Sequence, residues 1–163
     1  MHSEILDIVN ETGEVLGQAT RAEIHRRRLL HRVVHLLVFN SKGELLLQKR
    51  SQLKDIAPGK WDTSVGGHVE HGETIDQALR REMEEELGFY NCETAFQYSY
   101  IHSNAVETEL VYSFRCSYEG EIRFNPLEIT EIRFWDLSDI RDALGSDIFS
   151  ENFRDEFGRY LRH

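Results

Sequence analysis

The sequence predicts an α/β (α+β) fold in which a mixed β-sheet is sandwiched between helices. Strand patterns and amphipathic helical patterns alternate along the chain, with connections of mixed type. Residues 33–39, VVHLLVF, form an almost continuous apolar run, which is typical of a strand covered on both faces. The length of 163 residues suits one domain, and no repeat or Gly/Ser/Pro-rich linker interrupts it. We therefore treat residues 1–163 as a single domain.

The overall charge and the apolar runs exclude two classes of partner. The formal net charge of −10 argues against general binding to the phosphates of a nucleic-acid polymer. The longest apolar runs are far shorter than the roughly 18–20 residues that a membrane span needs. No signal-peptide pattern is present, and the two cysteines lack metal or redox spacing. We expect a cytoplasmic protein that binds neither a membrane nor a nucleic-acid polymer.

The first 68 residues are predicted to form strands with one short helix among them. Residues 4–20 read as two short strands around a glycine-containing turn at 11–14. Thr20 and Glu23 form a Thr-x-x-Glu capping pattern, which predicts a short helix. The run 33–39 and a second strand, ELLLQKR, are joined by the turn NSKG. A loop, LKDIAPGKW, then leads into a single short strand, DTSVGGH, with two glycines near its end.

Residues 74–88 carry the clearest helical pattern in the chain. Thr74 and Gln77 form a capping box at the start, and Gly88 follows the last turn. Arg80 and Glu84 are predicted to point to solvent. The apolar residues of the opposite, buried face are Ile75, Leu79, Met83 and Leu87.

This helix belongs to a strongly acidic segment. Between Gly67 and Gly88 there are seven acidic and two basic residues, so that five of the ten excess negative charges lie within 22 residues. On a helical wheel, Glu82, Glu85 and Glu86 converge on a partly buried edge, where they repel one another and lose hydration. Either a hard divalent cation such as Mg²⁺ or Mn²⁺ compensates them, or they form a solvated acidic patch.

Strands and two helices are predicted after this segment. The strands cover approximately residues 93–102, 107–117 and 131–137. The segment LSDIRDAL predicts a short helix capped by Ser138. Phe153, Phe157 and Tyr160 recur at helical spacing in the final segment, which is therefore expected to pack on the core.

Residues 67–89, GHVEHGETIDQALRREMEEELGF, resemble the signature of the Nudix family. This Nudix box is written G-x5-E-x7-R-E-U-x-E-E-x-G-U, where U is a bulky apolar residue. Nine matched positions within 23 residues, on a helix already inferred, make a specific signal. The matched positions are Gly67, Glu73, Arg81, Glu82, Met83, Glu85, Glu86, Gly88 and Phe89.

The resemblance implies an α/β/α sandwich that hydrolyses a nucleoside diphosphate, or another small-molecule diphosphate, linked to a group X. Mg²⁺ or Mn²⁺ would be bound by Glu82, Glu85 and Glu86, with the backbone carbonyl of Gly66 as a further ligand. One of these carboxylates, or a residue on a later loop, would help to deprotonate the attacking water. Divalent ions suit this reaction because they neutralise phosphoryl oxygens and lower the pKa of bound water.

Other motif positions are implied to support these ligands. Arg81 would orient the carboxylates, and Glu73 would brace the loop before the helix. Gly67 and Gly88 would be structural positions of the motif. The simpler interpretation of Arg81 and Glu73 is a salt bridge between loop and helix. This interpretation is compatible with a role in supporting the metal ligands.

The chain from about residue 5 to residue 137 is similar to the Nudix subgroup related to isopentenyl-diphosphate isomerase. In that isomerase a histidine and glutamate site binds a divalent metal, and a cysteine acts on the substrate carbon. The corresponding ligands would be His25, His31, His68, Glu107 and Glu109. Without a metal, His31 would be a core histidine, and the two glutamates would form an exposed polar strand face.

Gly66 stands where the isomerase has its reactive cysteine. A glycine can neither donate a proton nor act as a thiolate. The isomerase also carries a degenerate Nudix box, whereas the box of this chain is complete. Hydrolysis is therefore the leading hypothesis, with an isomerase-like enzyme and a non-catalytic nucleotide-binding domain as alternatives.

The identity of X depends on loops that carry no motif. Arg50 and Lys54 correspond to residues that hold the diphosphate in the isomerase, although both also suit ordinary surface charges. Dimerisation is common in the family, and this sequence leaves a homodimer open. Four aromatic residues either stack on a base or belong to the core: Trp61, Tyr98, Tyr100 and Phe149.

Overall fold

The computed structural model describes residues 4–163, which form one nine-stranded sheet and four helices. The strands are β1 (Ile5–Val9), β2 (Val15–Thr20), β3 (His31–Phe39), β4 (Leu45–Arg50), β5 (Trp61–Asp62), β6 (Val65–His68), β7 (Ala95–Ser103), β8 (Thr108–Ser117) and β9 (Ile129–Trp135). The helices are α1 (Arg21–Arg27), α2 (Ile75–Leu87), α3 (Leu137–Ala143) and α4 (Glu151–Arg162). No helix within these residues is long and apolar enough to cross a membrane.

Strand β3 organises the sheet. It pairs in parallel with β8 along all nine of its residues and antiparallel with β6. It meets β1 only at the pair Ile8 and His31, and it meets β4 only at the pair Phe39 and Leu45. Strand β7 extends the sheet beyond β8, while β5 and β9 both pair with β4. The sheet is therefore mixed, as predicted, and β3 and β4 diverge beyond their hairpin.

Ser64 lies between the diverging strands. Its hydroxyl accepts from the Val38 N–H at 3.0 Å and donates to the Leu46 carbonyl at 2.5 Å, so that it bridges β3 and β4. The prediction of a single strand over residues 62–68 was wrong. The segment forms two strands, because β5 pairs with β4, β6 pairs with β3, and the chain must cross between them.

Helices cover both faces of the sheet, which confirms the predicted α/β/α sandwich. Alternate residues of β3 point to opposite faces, and both sets are buried. Helix α2 packs on one face, and α3 and α4 pack on the other. Residues of the α2 side include Val34, Leu36, Val38, Leu79 and Met83. Residues of the α4 side include Leu37, Ile140, Phe153 and Phe157, with Tyr160 partly buried beside them.

Helix α2 begins and ends as the sequence predicts. Thr74 and Gln77 form a reciprocal capping box, in which each side chain accepts from the backbone N–H of the other residue. Gly88 ends the helix in the left-handed conformation, with φ of 76°. A Cβ at this position would also lie 2.9 Å from the carbonyl oxygen of Arg123, so glycine is required for space as well as for conformation.

Two local predictions were wrong. Arg80 does not point to solvent, because its guanidinium donates to the carbonyls of Tyr90 and Cys92 and fastens the segment after α2. Helix α3 is capped by Asp136 rather than by Ser138. The Asp136 carboxylate reaches the N–H of Ser138 at 2.9 Å, and a carboxylate is as good a cap as a hydroxyl.

Candidate functional site

A cavity of about 390 Å³ opens where β3 and β4 diverge. Its walls come from β3, β4, β6, α2, the start of α4 and the loop before β5. Charged side chains dominate this lining. The carboxylates are Glu4, Asp55, Asp62, Glu82, Glu86, Glu107 and Glu109, and the cationic side chains are Arg21, Arg50 and Lys54.

Strand β6 separates two clusters of titratable residues. A Cβ on Gly67 would point at Glu82 of α2, whereas a Cβ on Gly66 would point at His35 on the other side. His68 follows Gly66 by two residues, so its side chain shares the side of Gly66. The acidic cluster consists of Glu82, Glu85 and Glu86. The histidine cluster consists of His25, His31, His68, Glu107 and Glu109.

Arg81 ties the acidic cluster to the loop before α2. Its Nε and Nη2 donate to the two carboxylate oxygens of Glu73 at 2.6 and 2.9 Å, and Nη2 also donates to the His68 carbonyl at 2.9 Å. Its Nη1 donates to Glu82 at 2.6 Å and to Glu85 at 3.3 Å. Burial alone would raise the pKa of Glu73, but these hydrogen bonds hold it below its ordinary value. One guanidinium thus contacts two cluster carboxylates, the loop and β6.

The carboxylate of Glu82 lies directly against the backbone of Gly67. A Cβ at Gly67 would lie 2.1 Å from the Glu82 carboxyl carbon, so only glycine leaves room for it. The Glu82 residue is 9% exposed. Burial raises the pKa of Glu82 above its ordinary value, although Arg81 donates to it.

Glu86 approaches the same place from the next turn of α2. Its Oε1 accepts from Gln48 Nε2 at 2.6 Å, and its Oε2 accepts from the Gly66 N–H at 3.3 Å. Burial and the neighbouring charge of Glu82 raise the pKa of Glu86 well above its ordinary value. The side chain of Glu85 is 59% exposed. Two of the three carboxylates therefore lose hydration without full compensation from the protein.

In the histidine cluster, the ligand-type atoms of His25, His31, His68 and Glu107 lie within 4.8 Å of one another. His25 Nε2 is 3.6 Å from Glu107, and His31 Nε2 is 3.9 Å from Glu109. Both Nε2 atoms are buried, and neither has a hydrogen-bond partner within residues 4–163. Buried polar atoms normally have hydrogen-bond partners, so the position of these two nitrogens suits coordination of a metal ion.

The orientation of His31 is fixed by the backbone. Its Nδ1 donates to the Leu29 carbonyl at 2.9 Å, which leaves the lone pair of Nε2 directed into the cluster. Burial lowers the pKa of His31 to about 4 and also lowers the pKa of His25. Burial and the nearby charge of Glu107 raise the pKa of Glu109 well above its ordinary value. Neutral imidazoles beside carboxylates are a suitable donor set for a divalent cation.

Asn152 belongs to this cluster, although no sequence pattern indicated it. Its Nδ2 donates to Glu107 at 3.2 Å and to Glu109 at 3.0 Å. Ser150 caps α4 and so fixes the start of the helix, which places Asn152 in its first turn. The contact depends on how α4 packs against β8.

The two cations predicted to meet a diphosphate line the cavity but have acidic partners. Arg50 donates through Nε to the Ile56 carbonyl at 2.8 Å and through Nη1 to Asp62 at 3.2 Å. Lys54 Nζ lies 2.5 Å from Glu128. Both side chains therefore hold loop segments in place at the cavity wall.

The aromatic residues that the sequence offered as stacking groups lie outside the cavity lining. Trp61 and Phe149 are buried in the core on the α4 side of the sheet. Tyr100 is buried and Tyr98 is partly buried in a smaller cluster with Val33 and Val111. Their apolar surfaces pack in the interior, in agreement with the core interpretation.

Comparisons with known proteins are consistent with this architecture. A family model for the NUDIX domain matches residues 29–157. A Yersinia pestis protein described as an uncharacterized Nudix hydrolase is 34% identical over 129 residues, covering 79% of this chain and 71% of that protein. Isopentenyl-diphosphate Delta-isomerase 2 of Photorhabdus laumondii is 32% identical over 158 residues, covering 93% and 89%. The crystal structure of DR0079 from Deinococcus radiodurans matches with a TM-score of 0.84 and 28% identity, covering 96% and 98%.

The depressed pKa of His31 predicts a pH dependence of stability in protein stripped of divalent ions. The unfolded chain binds a proton at His31 below pH about 6.5, whereas the folded chain does so only near pH 4. The free energy of unfolding should therefore fall by about 3 kcal/mol from this residue as the pH drops through that window. Urea unfolding at pH 4.5 and pH 7 measures the change in the free energy of unfolding for the parent and for His31→Gln. An equal change with pH in the two proteins would contradict the lowered pKa of His31.

Proposed function

This chain belongs to the Nudix hydrolase family, and we propose that it uses Mg²⁺ or Mn²⁺ to hydrolyse the diphosphate linkage of a nucleoside diphosphate-X compound or a related small-molecule diphosphate. The observation that carries the proposal is the convergence of two dehydrated carboxylates, Glu82 and Glu86, on the wall of a cavity of about 390 Å³. Glu85 and Arg81 complete the same group.

The residues present fit divalent cations at both clusters. Seven carboxylates and three cationic side chains line the cavity, so an anionic diphosphate would be repelled without added positive charge. The acidic cluster offers hard oxygen ligands from Glu82, Glu85 and Glu86, with the Gly66 carbonyl as a further candidate. The histidine cluster offers two buried nitrogens, His25 Nε2 and His31 Nε2, that have no hydrogen-bond partner in the described part of the chain. A divalent cation bound at either cluster would neutralise negative charge on the phosphate oxygens and would lower the pKa of a coordinated water.

We assign the remaining roles to the contacts of each side chain. Arg81 is a positioning residue, because its guanidinium fixes the direction of Glu82 and Glu85 while Glu73 anchors it to the loop. Gly67 leaves space for the Glu82 carboxylate, and Gly88 ends the helix that carries the cluster. A carboxylate of the acidic cluster serves as the base toward the attacking water.

Arg50 and Lys54 are the proposed contacts to the diphosphate. Both line the cavity, and both stand at the side of the acidic cluster. Their salt bridges to Asp62 and Glu128 restrict the motion of both side chains, which reduces the entropy lost when a phosphate is bound.

The proposal predicts that Glu86→Gln abolishes most turnover. An amide keeps the size of the side chain but removes its charge and a ligand oxygen, so kcat should fall at least about a hundredfold. The measurement is release of phosphate products from a panel of nucleotide-sugars, dinucleoside polyphosphates and isoprenyl diphosphates, with Mg²⁺ or Mn²⁺ and with a chelator. Glu84→Gln, on the exposed side of the same helix, is the matched control and should retain parent activity.

Two results would refute the proposal. The first is a parent protein that binds panel members but turns none of them over, which would favour a non-catalytic nucleotide-binding domain. The second is turnover that continues unchanged in Glu86→Gln or in the presence of the chelator.

The contact between Gly67 and Glu82 generates a second prediction. A methyl group at position 67 must displace the Glu82 carboxylate, and a displacement of about 1 Å at a reacting centre can cost on the order of a hundredfold in rate. Gly67→Ala should therefore lower kcat by about that factor while the protein stays folded. Gly145→Ala is the control, because a Cβ there meets nothing within 4 Å. Full activity of Gly67→Ala would show that the position of the Glu82 carboxylate is not critical.

A second candidate function is isomerisation of an isoprenyl diphosphate. The histidine cluster favours it, because its five residues are those that correspond to the isomerase metal ligands, and because the isomerase relative spans 93% of this chain. Against it stands Gly66, which provides no thiol. A Cβ at position 66 would lie 3.3 Å from the His35 ring, which is closer than an ordinary contact, so a larger side chain here would require His35 to shift.

Incubation of the protein with isopentenyl diphosphate in deuterated water separates the two candidates. We expect no isomer and no deuterium in recovered substrate, because no side chain at position 66 can transfer a proton to carbon. Mass spectrometry of the recovered diphosphate provides the measurement. Deuterated or isomerised product would favour the isomerase and would require another proton donor in the cavity.

A further inference from the structure

Asn152 connects the two carboxylates of the histidine cluster. Glu107 directly precedes β8 and Glu109 is the second residue of that strand, so both side chains point to the same side. Both residues are buried. Asn152 Nδ2 donates to Glu107 Oε1 at 3.2 Å and to Glu109 Oε1 at 3.0 Å. One amide nitrogen therefore holds together two carboxylates whose negative charges repel each other.

The carboxylate oxygens that Asn152 does not hold face the imidazoles. Glu107 Oε2 lies 3.6 Å from His25 Nε2, and Glu109 Oε2 lies 3.9 Å from His31 Nε2. Neither nitrogen has a hydrogen-bond partner among residues 4–163. These separations are too long for hydrogen bonds, and two ligands of one metal ion are also held apart because each lies about 2 Å from the ion. Each carboxylate thus directs one oxygen to Asn152 and the other to a candidate metal-binding nitrogen.

A primary amide suits this position better than other donors do. A hydroxyl group has one hydrogen to donate and would serve only one of the two carboxylates. A lysine or arginine side chain would serve both, but its positive charge would oppose the binding of a cation. The amide nitrogen carries two N–H bonds and no charge. It can therefore orient both carboxylates while their negative charge stays available to a bound ion.

The position of Asn152 is fixed by its two neighbours at the start of α4. The Ser150 N–H donates to the Trp61 carbonyl at 2.9 Å, and the Ser150 hydroxyl donates to Asp62 at 2.8 Å. The same hydroxyl accepts from the Phe153 N–H at 3.0 Å, and the Phe153 side chain is fully buried. Because residues on both sides of it are anchored, the Asn152 amide is held in place before any ion binds.

We propose that Asn152 is a positioning residue for cation binding: by holding the Oε1 atoms of Glu107 and Glu109, it directs their Oε2 atoms toward an ion bound at the histidine cluster. The inference rests on the proposed function, since it concerns one of the two candidate cation sites of the same cavity. The opposite role is that the amide only compensates the carboxylates while no cation is bound. Removal of the amide would weaken cation binding in the first case and would tighten it in the second.

The test uses Co²⁺ alone as the probe, because its visible absorption spectrum depends on its ligands. The titrations are made in a Glu86→Gln background, which weakens the acidic cluster, and His31→Gln should abolish the signal that belongs to the histidine cluster. Asn152→Ala should weaken the Co²⁺ affinity of that cluster about tenfold or more and should change the Co²⁺ spectrum. Loss of a hydrogen-bond partner behind a metal ligand typically costs on the order of 10–100-fold in metal affinity.

Three further variants separate positioning from a general structural role. Asn152→Leu keeps the approximate size of the side chain without its donors, and it should behave like Asn152→Ala. Asn152→Gln keeps the amide and should recover part of the Co²⁺ affinity and of the parent spectrum. Glu151→Ala changes the exposed neighbouring residue in the same helical turn and should leave both unchanged. Thermal unfolding in the presence of a chelator verifies that each variant is folded.

The outcomes distinguish this inference from the proposed function. An unchanged or tighter Co²⁺ affinity in Asn152→Ala and Asn152→Leu overturns the positioning role and leaves the hydrolase standing. A parent that hydrolyses panel members but shows no Co²⁺ signal sensitive to His31→Gln also overturns it. A parent whose Co²⁺ affinity depends on Asn152 but that hydrolyses no panel member supports the positioning role, while the proposed hydrolysis fails.

Discussion

The packing of the Glu82 carboxylate against the backbone of Gly67 is the contact on which the site depends. It brings helix α2 closer to β6 than any side chain at position 67 would allow. Arg81 then connects the same carboxylate to the loop through Glu73 and to β6 through the His68 carbonyl. A buried carboxylate is unfavourable unless it is hydrogen-bonded or paired with a cation, so a stable fold and a charged site depend on the same group.

The divergence of β3 from β4 creates the space for this chemistry. Ser64 bridges the two strands where they diverge by hydrogen-bonding to both, and the chain on either side of it joins different strands. Strand β6 therefore runs through the opening, with helix α2 on one side and the start of α4 on the other. Because side chains point alternately to the two sides of β6, position 67 faces the acidic cluster, while Gly66 and His68 face the opposite side.

Two groups of residues with different chemistry thus share one cavity. The acidic cluster offers oxygen ligands, and the histidine cluster includes the nitrogens of His25 and His31, whose pKa values are lowered by burial. Gly66 provides no thiol, whereas the resemblance places the reactive cysteine of the isomerase at this position.

Local patterns of the chain were enough to predict the Nudix box, the caps of α2 and the sandwich, because helix periodicity, capping and apolar runs are local properties. The helical wheel also indicated the members of the acidic cluster, whereas the members of the histidine cluster were indicated by resemblance alone. Three features are seen only in the folded chain: Asn152 joins Glu107 and Glu109, Arg80 fastens a loop, and residues 62–68 form two strands. These features depend on contacts between segments far apart in sequence, and no local pattern encodes which segments will meet.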